Sequence, residues 1–306
     1  VYVTVIGGAT VDIGGFASGE LIAEDSNPGH VRICCGGVAR NIAENLARLG
    51  VETRLLTIVG QDVYGEMILD NCHGCGLDGS QVEVLKNFAT SVDLALHNMS
   101  GEMVLSIAQM DAAERIDPAF IDRREKLLAD SKAIVLDTNL RQNCIEHIVK
   151  RFTGIDILVD AVAVSKARRV ERVLDRLHTV KMNALEAEAL VGQELSGAPG
   201  VESACRKLLQ HGLARVFLSR GADGVFAADG SGVTRFSSPS VSVVNDRGAG
   251  DAFMAGVVYG YVNNYSMQDT TRFALAAARL TLGHEMTVNP DLSVDAVIRT
   301  LKEFGY

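Results

Sequence analysis

The chain has 306 residues, 47% of them hydrophobic and 22% charged, which is enough apolar material for one large α/β core and excludes a disordered tract. A formal net charge of −9 without a basic face excludes nucleic acid as a bulk partner, whereas a phosphorylated small molecule needs only local donors. No apolar run reaches the roughly 18 residues of a spanning helix and no basic leader opens the chain, so no membrane partner and a cytoplasmic location are expected.

Residues 1–6 are a β-branched run ending at Gly7-Gly8, which predicts a buried strand. Asp12 follows at the carboxyl end of that strand, where open α/β sheets place ligands, although a solvated turn carboxylate would look the same. Residues 13–35 interrupt the pattern with Gly14, Gly15, Gly19 and Asp25-Ser26-Asn27-Pro28-Gly29 before a short strand at 30–35, an excursion from the sheet and back. Gly36-Gly37 then opens an amphipathic helix with Val38, Ile42, Leu46 and Leu49 at helical spacing and Gly50 at its end. The paired glycines let backbone approach a ligand closely. Asn41, one turn in, offers a donor and an acceptor to a hydroxylated molecule, or is simply an exposed asparagine.

Residues 53–59 predict a strand, 64–75 a helix and 81–85 a strand. Residues 91–98 and 102–110 alternate around Asn98-Met99-Ser100-Gly101 and predict a hairpin. With the earlier excursion it makes a small β lid, about 13–35 and 88–112, on a single domain spanning 1–306. The cluster Cys72-His73-Gly74-Cys75 has no second Cys/His pair at metal-binding spacing, and Gly74 and Gly76 read as a helix end.

From residue 115 helices and strands alternate: helix 118–129, strand 133–137, helix 140–152, strand 155–160, helix 168–177 and strand 179–182. This predicts a mainly parallel sheet with helices on both faces. Asp137 and Asp160 close their strands on the ligand edge. Asn183 caps the next helix with Glu186 at its third position, and the same pair could hold a water-coordinated Mg²⁺. A strand at 216–218 turns through Ser219-Arg220-Gly221-Ala222-Asp223-Gly224 into 225–228, either around a nucleotide or as a plain hairpin. Residues 267–285 and 293–304 are the closing helices.

The stretch Asn245-Asp246-Arg247-Gly248-Ala249-Gly250-Asp251 follows the apolar Val241, Val243 and Val244 and opens the small-residue run 252–260. The glycines therefore fall where a strand is expected to turn into a helix. Gly248 and Gly250 leave amides uncovered at a helix N-terminus, a site for an anion. Asp251 falls in the first helical turn. A carboxylate beside an anion site suits a base that deprotonates an incoming hydroxyl, hence phosphoryl transfer to an alcohol; a helix start with an acid favouring the dipole is the plainer alternative.

The order and separation of Gly36-Gly37…Asn41, Asn183…Glu186, Ser219…Gly221…Gly224 and Gly248-Ala249-Gly250-Asp251 resemble the ribokinase-like (PfkB-type) carbohydrate and nucleoside kinases over essentially the whole chain. Asp25-Ser26-Asn27-Pro28-Gly29, Gly36-Gly37-Val38-Ala39-Arg40-Asn41-Ile42-Ala43 and Val288-Asn289-Pro290-Asp291-Leu292-Ser293 resemble its pseudouridine-kinase branch, although Asp160-Ala161 stands where that branch has Asp-Pro. The resemblance implies a three-layer α/β/α fold with a mainly parallel central sheet and a β lid. It implies ATP-dependent phosphorylation of a ribosyl 5′-hydroxyl, with Asp251 as base and the amides of Gly248, Ala249 and Gly250 as anion hole. It further implies Asp12, Asn27, Gly36, Gly37 and Asn41 around the sugar, and Asn183 and Glu186 around Mg²⁺. Ser219, Gly221 and Gly224 would line the nucleotide and Asn289 its adenine side, with the lid closing to exclude water.

Asp246 and Arg247 stand where threonines are common in the family, whose turn often helps to hold a monovalent cation. Arg247 could supply a fixed charge instead, bind the γ-phosphate, or pair with Asp246, so K⁺ dependence is expected to be weak or absent. Ribose, fructose, adenosine and inosine are alternative acceptors, and a non-catalytic nucleoside binder is an alternative function. A dinucleotide-binding dehydrogenase is disfavoured, because Gly7-Gly8…Gly14 has the wrong spacing. An apolar strand of the lid could pair two copies edge to edge, which predicts a homodimer.

Overall fold

A strand covered on both faces shows no polar alternation, and the runs near residues 3, 133 and 157 are of that kind. In the computed structural model, which describes residues 1–238 and 243–305, they form β1 (Val3–Ile6), β9 (Ala133–Asp137) and β10 (Ile157–Asp160), with every residue buried. They join β4 (Thr53–Leu56), β11 (Thr179–Asn183), β12 (Arg215–Ser219), β13 (Val225–Asp229) and β14 (Gly232–Phe236). The eight-stranded order is β14-β13-β12-β11-β10-β9-β1-β4. From β4 to β12 all neighbours are parallel, and β13 and β14 add an antiparallel edge.

Alternate side chains leave a strand on opposite faces, and two apolar clusters result. Ile134, Leu136 and Val159 pack beneath α3 (Pro118–Asp122), α4 (Glu125–Ala129), α5 (Gln142–Arg151), α6 (Val164–Ala167), α7 (Ala184–Val191) and α8 (Gly197–Gln210). Val135 and Leu158 pack beneath α1 (Val38–Arg48), α2 (Val63–Gly74), α9 (Ala249–Val262), α10 (Met267–Leu282) and α11 (Val294–Glu303). The result is the three-layer α/β/α arrangement expected. Parallel register also sets the carboxyl ends of the central strands side by side: Asp137 opposes Asp160, Asp160 opposes Lys181, and Asn183 opposes Ser219. Asp137 accepts the N–H of Gly8 and of Ala39, each at 2.9 Å, and so pins the exit of β1 and the start of α1 to that edge.

A second sheet, of order β3-β2-β7-β8, comprises β2 (Thr10–Ala17), β3 (Gly29–Gly36), β7 (Val92–His97) and β8 (Met103–Gln109). Asp12, Cys34 and Asp93 lie in register on one face of it. Ile13, Ile33, Leu94 and Ile107 lie in register on the other, where Ile33, Leu94 and Ile107 are exposed.

Several elements differ from expectation. The strand expected at 53–59 divides between two sheets, because buried Thr57 turns its hydroxyl onto the carbonyl of Gly7 at 2.7 Å. Beyond it, β5 (Ile58–Gly60) pairs with β6 (Glu83–Leu85). The helix expected at 118–129 breaks into α3 and α4, where Arg123 and Arg124 both reach Glu83. The helix expected at 168–177 is a 3₁₀ helix over Arg168–Arg176 that follows α6. Ahead of the glycine turn, Val241 lies outside the described residues, and Val243 and Val244 are exposed and form no strand, so α9 is entered from a loop.

Candidate active site

The N-terminus of α9 is capped by a glycine that no other residue could replace without strain. Gly248 caps it in the left-handed region at φ 79, and a Cβ there would fall 1.9 Å from the carbonyl oxygen of Thr287. The cap carries no side-chain hydrogen bond, so the first-turn amides stay open to a ligand. A Cβ on Gly250 would lie 2.9 Å from Nζ of Lys181, which places an ammonium beside those amides. The rest of α9 is apolar and small, and it buries the turn against α1 and α10.

Asp251 sits in that turn, 9% exposed. Its Oδ2 accepts a 2.7 Å hydrogen bond from Nδ2 of Asn41. Burial lifts its carboxyl pKa to about 7, and the nearby Asp160 carboxylate adds to the lift; Lys181, the Asn41 bond and Arg40 pull the other way. A carboxyl half-ionised near neutrality is matched to proton abstraction at that pH. Lys181 Nζ donates to Oδ2 of Asp160 at 2.9 Å. Burial opposes the lysine's charge, but Asp160, Asp251 and Glu186 outweigh it and hold its pKa above the ordinary value.

Two cavities meet over this turn, and Val243 and Asp246 line both. The first, of about 640 Å³, lies against the small sheet and is lined by Asp12, Phe16, Arg32, Cys34, Arg247 and Thr287, among others. The second, of about 650 Å³, is lined by Lys181, Ser219, Gly221, Gly224, Ala249 and Gly250, among others. Gly224 is at φ 92, with room for no Cβ beside the Phe236 carbonyl, 2.0 Å away.

Of the residues picked from the sequence, Asp12 and Arg247 line the first cavity and Ser219, Gly221, Gly224, Ala249 and Gly250 the second, while Asp251, Gly248, Asn41, Gly36, Gly37, Asn183 and Glu186 are in neither lining. Asp12 accepts the Thr10 hydroxyl at 2.8 Å and is raised in pKa by burial. A Cβ on Gly36 would collide with the Asp12 carboxylate at 2.2 Å, and one on Gly37, at φ 91, with the Gly8 carbonyl at 2.5 Å. Asn183 and Glu186 form a complete capping box: the Glu186 carboxylate takes the backbone and side-chain N–H of Asn183, both at 2.8 Å, and the Glu186 N–H donates to Asn183 Oδ1 at 2.9 Å. Each Glu186 oxygen keeps a lone pair, and Asn183 lies in register with Ser219 of the second cavity. A single buried carboxylate at that place fits Mg²⁺ held through its own waters.

Four placements differ. Asn41, expected at the sugar hydroxyls, is buried and commits its amide to Asp251 and Arg40. Arg247 lines the first cavity, and its ion pair is with Asp93 of the small sheet at 4.0 Å, not with Asp246. Asn27 spends its amide on Ile22 and Asp25 within its own loop. Asn289 donates to the Leu280 carbonyl at 2.8 Å and accepts the Asp291 N–H at 2.9 Å, so it closes the loop after α10 and lines neither cavity. Sequence reasoning missed Lys181 and Asp93. A lysine inside an otherwise apolar strand was the available signal for the first; nothing local marked the second.

Residues 2–293 match the pfkB family of carbohydrate kinases. The chain is 37% identical to a pseudouridine kinase of Escherichia coli (strain K12) over 298 residues, which cover 97% of this chain and 95% of that protein. It is 32% identical to an uncharacterized sugar kinase of the same organism over 295 residues, 96% of this chain and 82% of that protein. The structure of Arabidopsis thaliana ribokinase complexed with ribose and ATP superposes with a TM-score of 0.89, covering 98% of each chain, and at 21% identity that likeness speaks to the fold.

If Asp251 titrates as its surroundings dictate, kcat/KM falls as pH drops through about 7. Asp160→Asn removes a repelling charge and leaves Lys181 facing Asp251, so the midpoint should move down by about one pH unit. A wild-type midpoint in the ordinary carboxylate range, or no shift in the variant, would contradict this.

Proposed function

The chain belongs to the pfkB family of carbohydrate kinases, an ATP-dependent kinase of sugars or nucleosides, and from that premise we propose that it phosphorylates the 5′-hydroxyl of a ribosyl group, with pseudouridine as its acceptor. The observation that carries this reading is the Asp251 carboxyl held by Asn41 at the head of a helix whose first amides are uncapped. The acceptor is supported by the 37% identity to a pseudouridine kinase across nearly the full length of both chains.

In this reading the acceptor occupies the first cavity, with its sugar hydroxyls against Asp12 and the backbone of Gly36 and Gly37. The nucleotide occupies the second cavity, along Ser219, Gly221 and Gly224. Asp251 removes the proton of the attacking hydroxyl. The amides of Gly248, Ala249 and Gly250, with Lys181 beside them, meet the negative charge of the group in transit; one such donor is worth roughly 3 kcal/mol. Mg²⁺, held through its waters by Asn183 and Glu186, would supply charge neutralisation on the phosphates. The small sheet would act as a lid, keeping water from the transferring group.

A coupled ADP-release assay with ATP and Mg²⁺ across pseudouridine, uridine, ribose, adenosine and fructose tests the acceptor. Pseudouridine should give the highest kcat/KM; a preference for ribose or fructose would sink the assignment. Asp251→Asn should keep ATP affinity and lose about 10²–10⁴-fold in turnover, and wild-type-like turnover would remove Asp251 from the chemistry.

Arg247, which lines the first cavity and pairs with Asp93, brings a fixed cation to the place where the family's turn often holds a monovalent one. Exchanging Na⁺ for K⁺ should therefore leave the rate unchanged, and a strong rise with K⁺ would count against it. The exposed apolar face carrying Val31, Ile33, Leu94, Leu105 and Ile107 suits a second copy of the chain. Light scattering should give the mass of a homodimer that Ile107→Glu dissociates; a wild-type monomer would refute the pairing.

A further inference from the structure

We propose that Arg40 is a positioning residue that fixes which end of the Asn41 amide faces Asp251, and so holds the carboxylate in its reacting orientation; the inference rests on the reading of Asp251 as the base.

Arg40 is 1% exposed and stands among the largest fully buried side chains. An interior guanidinium is costly unless all its donors are met, and here each of the five N–H groups has an acceptor. Nε donates to the Gly36 carbonyl at 2.9 Å, and one Nη2 hydrogen to the Cys35 carbonyl at 2.9 Å. One Nη1 hydrogen goes to Asn71 Oδ1 of α2 at 2.7 Å. The remaining two go to the Glu44 carboxylate and to Oδ1 of Asn41.

The last contact decides the geometry next door. An asparagine amide can be flipped end for end at little steric expense, and only its partners choose. With Oδ1 committed to the guanidinium, Nδ2 must point at Asp251, where it donates at 2.7 Å. The flipped amide would set N–H against N–H at Arg40 and oxygen against oxygen at Asp251. Arg40 thus acts through Asn41 and does not touch the reacting atoms. Its bonds to Cys35 and Gly36 also anchor the junction where β3 of the small sheet runs into α1. Glu44, held from its other side by Arg48, balances the buried charge. The charges bearing on Asp251 are Asp160 from β10, Lys181 from β11 and Arg40 from α1.

The test uses the full-length chain with ATP, Mg²⁺ and pseudouridine. Arg40→Lys keeps the charge and loses the planar fork that serves Asn41 and both carbonyls at once. The double variant Arg40→Met/Glu44→Met replaces the buried pair by neutral side chains of similar volume, a change that folded proteins often tolerate. With ATP affinity unchanged, both should lose about 10–100-fold in kcat, and the double variant should show its acidic limb of kcat/KM at higher pH. A loss of folding stability alone would lower the melting temperature and move neither kcat per folded enzyme nor that limb. Folded variants with wild-type kcat and an unmoved limb overturn the proposal. Asp251→Asn, run alongside, separates the two failures: if it keeps turnover, the base assignment is wrong; if it is inactive while the Arg40 variants behave as wild type, only the positioning role falls.

Discussion

A carboxylate that is to serve as base beside a phosphoryl-binding turn faces a contradiction. The open amides at a helix start attract any anion nearby, and an acid in the first helical turn is the nearest one. Asp251 is held clear of that fate by Asn41, whose Nδ2 donates to one carboxylate oxygen. The bond ties α9 to α1 across 210 residues of sequence. Gly248, Gly250 and the apolar run of α9 follow from the same need, because the turn must be bare, tightly packed and backed by a helix that does not move.

The sheet supplies the charges that tune this point. Parallel register sets Asp160, at the end of β10, opposite Lys181 of β11, so the two meet and both act on Asp251. Asn183, which ends β11, lies in register with Ser219, which ends β12 and lines the second cavity. Asp137, one strand further over, receives the backbone of Gly8 and Ala39 and sets where α1 begins. One edge of one sheet therefore fixes the start of α1, the Asp251 carboxyl and the second cavity relative to one another.

Much of this was legible in the chain because its causes are local. The βα alternation after residue 115 shows in hydrophobic runs alone, and the αL cap at Gly248 and the capping box of Asn183 and Glu186 are short-range devices. What failed to show depends on partners far away in sequence. Thr57 divides a strand because Gly7 waits for its hydroxyl, and α3 and α4 separate where two arginines converge on Glu83. The Asp160–Lys181 and Arg247–Asp93 pairs arise from strand register and sheet placement. Asn27 and Asn289 misled for the opposite reason: an asparagine in a turn looks the same whether it faces a ligand or closes its own loop.

The central claim is that Asp251 and the amides of Gly248, Ala249 and Gly250 converge on one transferring group, with the acceptor hydroxyl between. A crystal structure with pseudouridine, ADP, Mg²⁺ and a planar phosphoryl mimic tests it most directly. The account predicts the acceptor 5′-oxygen at about 2.6–3.2 Å from a carboxylate oxygen of Asp251, in line with the mimic seated on the α9 amides. An acceptor hydroxyl out of reach of that carboxylate, or a mimic bound away from the glycine turn, would contradict it.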